Sequence, residues 1–205
     1  MRHFLFCLVF IAACSKPEYI DIIDTRTSVN HVLYAFEYLG YNERKNRREL
    51  KELTGVDPVN TEWCAAFVNA VLHNNDYLGS DSFSDYPLMA RSFVSYGEQI
   101  ETPEIGDIIV FPRGSTGWQG HVGFYLRTDI INNKKYYLIL SGNDYNEVRI
   151  NHYSARSAVA IVRPISANPL KHQEKSWLVR TQDDQQSLQL VLYDRLQHIL
   201  PDWLL

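Results

Sequence analysis

The order of the secondary-structure patterns is the feature of this 205-residue sequence that most limits its fold. Helical patterns come first, up to about residue 97, and strand patterns follow only after Pro103. Five segments in that second part are predicted to be strands separated by polar turns: 107–111, 121–126, 135–140, 147–151 and 158–163. Helices followed by an antiparallel meander predict an α+β domain.

The N-terminal half of the chain carries three main helical patterns. Residues 28–39 repeat apolar side chains at helical spacing, and the charged segment 42–53 predicts a solvated helix that ends near Gly55. The third helix contains the sequence TEWCAAFVNAVL and is predicted to start at a cap provided by Asn60 or Thr61. Its apolar residues fall on one face, so we expect that face to be deeply packed.

The first residues of the chain are typical of an export signal. Arg2 precedes an apolar run over 4–13, which is too short to span a bilayer as a helix. The residues that end at Cys14 resemble a bacterial lipobox, in which the chain is cleaved before a cysteine that is then acylated. We therefore expect a lipoprotein signal peptide at 1–13 and a lipid anchor on Cys14, with a plain secretory signal as the alternative.

Three segments follow the expected cleavage site. Residues 14–27 are predicted to be a tether, 28–165 the folded domain, and 166–205 a C-terminal extension with an amphipathic helix. We expect that helix to dock on the domain, with a helix that faces a protein partner or a membrane as the alternative. Ser15, in place of Asp, resembles Gram-negative lipoproteins of the outer membrane, so we expect a lipid-anchored periplasmic protein.

Charge and cysteine usage narrow the classes of function. The net charge is −4 with no basic block, which argues against nucleic acid as a partner. The sequence has no CxxC pair or tight Cys/His cluster, so it predicts no metal site, and it predicts no cofactor. Cys7 would leave with the signal peptide and Cys14 would be acylated, which makes Cys64 the single free thiol of an exported protein. Such a thiol is either a small buried hydrophobe or a reactive group.

Cys64, His121 and Asn143 are the residue types of a thiol nucleophile, its base and a group that orients the base. Cys64 lies in the first turn of the third predicted helix, where the helix dipole stabilises a thiolate. His121 begins a strand in a glycine-bracketed segment, and Asn143 follows the next strand, whose end can lie beside that start. Asp144 is the second choice for the orienting group. The simpler alternatives are a solvent-facing histidine and a turn asparagine.

Two tryptophans and a glutamate flank these residues and are candidate substrate contacts. Trp118 lies in a glycine-rich loop just before His121, where it either walls a substrate groove or forms part of the loop surface. Trp63 is favoured as a core residue over a substrate contact. Glu62 is favoured as a structural acid near the helix start, with tuning of Cys64 or contact with an amine as the alternative.

Four motifs in order resemble the papain-like peptidoglycan hydrolases of the CHAP-type and NlpC-type group: EWCAAFVNAVL, PEIGDIIVF, GHVGFY and LSGNDYNEV. The resemblance covers roughly 29–164. It implies a cysteine that opens a central helix packed on an antiparallel sheet of about five to six strands, and a catalytic set of Cys64, His121 and Asn143. The sequence departs from the group's GGN segment, since Ser141 precedes the Gly-Asn pair here. It also has the charged segment NERKNRREL where the group has a stretch that contains more Gly and Pro.

The function implied by this resemblance is hydrolysis of an amide bond in the peptide part of peptidoglycan through a cysteine thioester, without a metal or other cofactor. It leaves open whether the bond lies between stem amino acids, as for an endopeptidase, or between sugar and peptide, as for an amidase. Two alternatives remain. The same thioester can be resolved by an amine, which gives an acyltransferase, or the domain can be a non-catalytic lipoprotein that binds wall peptides or a protein partner.

Overall fold

A computed structural model describes residues 30–168 of the chain. The predicted signal peptide, Cys14, the tether and the C-terminal amphipathic helix lie outside these residues. The described helices are α1 (Asn30–Phe36), α2 (Arg47–Thr54) and α3 (Cys64–His73), with 3₁₀ turns at Ser80–Ser82, Ala90–Ser95 and Ala155–Ser157. The strands are β1 (Ile108–Pro112), β2 (Gly120–Ile131), β3 (Lys134–Asp144), β4 (Glu147–Ser154) and β5 (Ala160–Val162). None of the helices in this part of the chain is long and apolar enough to cross a membrane.

The five strands form one antiparallel sheet in the order β4-β3-β2-β1-β5. The first four strands are a meander, and β5 returns to pair with the free edge of β1. Helices first and an antiparallel sheet afterwards confirm the predicted α+β class. The β2–β3 hairpin is longer than the sequence pattern predicted, because it continues to a tight turn at Asn132 and Asn133, which both have positive φ angles.

The main core lies between the helices and one face of the sheet. Nine of the ten residues of α3 are buried, which is more than the one-sided packing that its sequence predicted. The reason is that α3 contacts β2 and β3 on one side and both α1 and α2 elsewhere. Residues that alternate with the core positions form a second, smaller apolar cluster on the other face of the sheet: Ile109, Phe111, Tyr125, Tyr137 and Ile139.

β3 approaches α3 closely at Gly142. A Cβ atom added there would lie 2.6 Å from the Trp63 ring and 2.7 Å from the Phe67 Cβ atom. Gly142→Ala is therefore expected to lower the free energy of unfolding by about 1–3 kcal/mol, since side chains on both elements must move. Urea denaturation measures this change.

Gly117→Ala is the matched control for that substitution. Gly117 lies in the loop between β1 and β2, where an added Cβ would have no neighbour within 4 Å. Its substitution should leave stability within about 0.5 kcal/mol of the unchanged chain. If the two alanine variants are equally stable, the close contact between β3 and α3 is wrong.

Candidate active site

Cys64 is the first residue of α3 and is only 3% exposed. The predicted cap at Asn60 or Thr61 is wrong, since Trp63 holds the N-cap position and makes no side-chain cap hydrogen bond. The helix therefore begins at the thiol itself. This places the sulfur at the positive end of the helix dipole.

Burial and neighbouring groups shift the pKa of the Cys64 thiol in opposite directions. Burial raises its pKa, while the Arg113 guanidinium and the backbone N–H groups of Val122 and Ala65 act in the opposite direction, and Glu62 raises it further. Val122 directly follows His121 on β2. The structure thus brings the sulfur of Cys64 to the backbone beside the predicted base.

His121 is 2% exposed near the start of β2. Its Nε2 atom lies 2.9 Å from the Ser141 hydroxyl oxygen, and its buried Nδ1 atom has no hydrogen-bond partner among the described residues. Burial, with a smaller contribution from Arg113, lowers its pKa to about 3. The imidazole is therefore neutral at pH 7, with one ring nitrogen available to accept a proton.

Asn143 makes its side-chain hydrogen bond to Glu62 and none to His121. Its Nδ2 donates to Glu62 Oε2 at 2.7 Å, and Arg113 donates to the same oxygen at 3.1 Å and to the Asn143 carbonyl at 3.0 Å. Asn143 has a φ of 55°, and the pairing of β3 with β4 shifts register between Ser141 and Asp144. This irregularity gives Ser141, two residues earlier on β3, the contact with the imidazole that the sequence prediction gave to Asn143.

An open cleft of about 670 Å³ runs along this site. Its lining includes His121, the predicted base, and Asn143, the residue predicted to orient it. Four further polar side chains also line the cleft: Glu62, Arg113, Asp144 and Tyr153. A smaller depression of about 270 Å³ adjoins it and shares Glu62 and Asn143 with it. Glu62 thus lies between two concave surfaces, and its side chain is 80% exposed.

The two candidate tryptophans have different environments. Trp63 is fully buried and packs on Phe67, with 6.2 Å between the ring centroids, so its place is in the core as the simpler interpretation had it. Trp118 is 61% exposed in the loop between β1 and β2. Of the two, only Trp118 presents its ring to solvent.

The segment that holds these residues also matches a known family. The CHAP domain model matches residues 56–143. CHAP domains are generally hydrolases that act on peptidoglycan, and the α+β fold described above is consistent with this papain-like type. The matched segment contains Cys64, His121 and Asn143 as well as Arg113 and Ser141, which the sequence analysis had not selected as site residues. No curated protein and no solved structure matches the chain.

Arg113 and Glu62 form an ion pair and are expected to change the reactivity of the Cys64 thiol in opposite directions. Arg113→Gln is expected to slow alkylation of Cys64 by iodoacetamide at pH 7 by roughly threefold, because it removes a positive charge that favours the thiolate. Glu62→Gln is expected to accelerate the reaction by a similar factor. The pH dependence of the alkylation rate measures both changes.

Arg127→Gln is the control for charge alone, since Arg127 pairs with Asp129 on β2 rather than with a residue of the site. Its alkylation rate should equal that of the unchanged chain. Equal rates for the Arg113 and Glu62 variants would contradict the electrostatic role of this ion pair.

Proposed function

We propose that the protein is a peptidoglycan hydrolase that cleaves an amide bond of wall peptides through a thioester on Cys64. The observation that carries the proposal is the placement of two groups inside the CHAP segment. The buried thiol at the start of α3 lies beside the β2 backbone at Val122, and the adjacent His121 keeps its buried Nδ1 atom without a partner.

The reaction starts from a neutral thiol and a neutral imidazole. Burial raises the pKa of Cys64 and lowers that of His121, so both shifts disfavour a preformed ion pair. His121 Nδ1 accepts the thiol proton as the sulfur bonds to the carbonyl carbon of the scissile amide. The same proton then passes to the leaving nitrogen as the carbon–nitrogen bond breaks, which leaves a thioester.

Water completes the cycle. His121 accepts one proton from the water as its oxygen bonds to the thioester carbon. The carbon–sulfur bond then breaks to release a carboxylic acid, and His121 returns the proton to the sulfur, which restores the neutral thiol and imidazole. The Cys64 backbone N–H at the start of α3 donates to the oxyanion in both halves of the reaction. No step requires a metal, and residues 30–168 contain no cluster of three His, Cys, Asp or Glu placed to hold one.

The proposal includes the export signal and the lipid anchor. A signal peptide at 1–13 and acylation of Cys14 would hold the domain at the periplasmic face of the outer membrane, within reach of the wall. Labelled palmitate should enter the full chain in cells and should not enter Cys14→Ser. Equal labelling of both chains would remove the anchor from the proposal without affecting the hydrolase.

Purified full-length chain incubated with peptidoglycan tests the reaction. Mass spectrometry should identify released fragments with new amino and carboxyl groups, and Cys64→Ala or prior alkylation should abolish their release. Whole stem peptides would indicate an amidase, and truncated stems would indicate an endopeptidase. Products in which an added amine has replaced water would show an acyltransferase instead, and no thiol-dependent release would refute the hydrolase.

A further inference from the structure

Two side chains confine the imidazole of His121, since Ser141 contacts its Nε2 atom and Tyr153 stacks on its ring. We propose that Ser141 is the positioning residue that fixes the tautomer of His121, and that the Tyr153 ring holds the plane of the imidazole. The inference rests on the proposed function for its kinetic consequences, and on the geometry alone for the state of the imidazole.

The hydroxyl of Ser141 is the only hydrogen-bond partner of His121 side-chain atoms within residues 30–168. Ser141 is fully buried, and the two atoms are 2.9 Å apart. A Cβ atom added at Gly123 would lie 2.6 Å from the Ile139 side chain and 2.7 Å from both the Leu140 carbonyl oxygen and the Ser141 Cβ atom. The second glycine of GHVGFY therefore allows the close approach of β3, including Ser141, to β2.

Tyr153 confines the imidazole from a second direction. Its ring stacks on His121 with a centroid distance of 5.3 Å and an interplanar angle of 21°, and on Phe111 at 4.7 Å and 26°. The imidazole plane is therefore held by an aromatic stack as well as by a hydrogen bond. A ring restrained in this way retains a single orientation toward its partners.

The Nδ1 atom of His121 is buried and has no hydrogen-bond partner among residues 30–168. A hydrogen on Nδ1 would therefore be a buried donor without an acceptor, which costs free energy. A hydrogen on Nε2 instead donates to the Ser141 oxygen, 2.9 Å away.

This difference determines the tautomer. The hydrogen of the imidazole lies on Nε2, where the Ser141 oxygen accepts it. The lone pair then lies on Nδ1, the atom that takes the thiol proton in the proposed reaction. Asn143 does not make this bond, since its amide donates to Glu62.

Nitrogen-15 NMR of the full-length chain tests the tautomer without any wall substrate, with the His121 signal assigned by its loss in His121→Gln. We expect the Nε2–H form in the unchanged chain at pH 7, a mixture of both tautomers in Ser141→Ala, and the Nε2–H form again in Tyr153→Phe, which keeps the stacked ring. Ser92→Ala and Tyr125→Phe are the matched controls, because each removes a buried or part-buried hydroxyl bond elsewhere, to Ser80 and to Thr128. Both controls should retain the tautomer of the unchanged chain.

Kinetics supply the second measurement. Ser141→Ala should lower kcat for fragment release by about 10- to 100-fold with KM unchanged, because the substrate still binds while the base loses its orientation. An unchanged tautomer in a folded Ser141→Ala chain, or a change produced by Asn143→Ala instead, would overturn the proposal. If Ser141→Ala fails to fold, Ser141→Gly, which also removes the hydroxyl, decides the question in the same way. If no variant cleaves the wall, the proposed function fails, and the NMR result still decides the positioning role.

Discussion

His121→Gln should reduce the rate of fragment release from peptidoglycan by at least about 10³-fold, because it removes the group that accepts and returns the thiol proton. Gln retains a hydrogen-bonding amide next to Ser141, so the buried hydroxyl keeps a partner. Burial disfavours ionisation of the Cys64 thiol, so the thiolate does not form readily without this base. The initial rate of release, followed by liquid chromatography, measures the loss.

His73→Gln is the control for loss of an imidazole. His73 ends α3 and pairs with Asp81 at the surface, where its side chain is 48% exposed. This variant should release fragments at the rate of the unchanged chain. A His121→Gln chain that retains a tenth or more of the activity would show that another group accepts the proton.

The fold class and the placement of Cys64 near a helix start were predictable because they depend on local patterns. Apolar spacing distinguishes the helical half from the strand half, and Gly55 ends α2 in the left-handed conformation that its identity indicated. β2 begins at Gly120, one residue before the strand start that was predicted at His121. These features follow from side-chain pattern and backbone preference within a few residues.

The side chains that contact His121 were not predictable in the same way. Asn143 was predicted to orient His121, whereas in the structure Ser141 forms the hydrogen bond with His121. The pairing of β3 with β4 shifts register between Ser141 and Asp144, which separates the environments of the two residues. A register shift depends on how β3 pairs with β4, which no local pattern specifies. The departure from GGN to SGN was the one available signal, since a hydroxyl in place of a glycine hydrogen adds a buried polar group that needs a partner.

Arg113 was missed for a related reason. It lies in RGSTG, which has the composition of a surface turn, and its contact with Glu62 spans 51 positions in the chain. The stacking of Tyr153 on His121 joins β4 to β2 across the sheet in a similar way. Contacts of this kind join residues that are far apart in the chain, so no local sequence pattern indicates them.

Acid is expected to destabilise the protein steeply between pH 7 and 5, because two buried histidines resist protonation. Burial lowers the pKa of His31 to about 4 and that of His121 to about 3, against an unfolded value of about 6.5. Below pH 6.5 the unfolded chain therefore binds more protons than the folded chain, and the free energy of unfolding falls with pH. The two shifts together predict a loss of about 4 kcal/mol between pH 7 and 5, a large share of a typical folding free energy. Urea denaturation at a series of pH values measures it.

His31→Phe separates this effect from general acid denaturation. The ring of His31 packs edge-on against Tyr77 and Phe124, so phenylalanine fills the same space, but it leaves the Gly106 carbonyl without the hydrogen bond from Nε2. That missing bond lowers stability by the same amount at every pH, whereas the lost titration halves the slope between pH 7 and 5. Carboxylates contribute alike to both chains, so the difference between the two slopes reports His31: the hydrogen bond from Arg47 lowers the pKa of Asp57 to about 2, and burial raises the pKa of Asp107. An unchanged slope in His31→Phe would mean that the buried imidazole accepts its proton inside the fold.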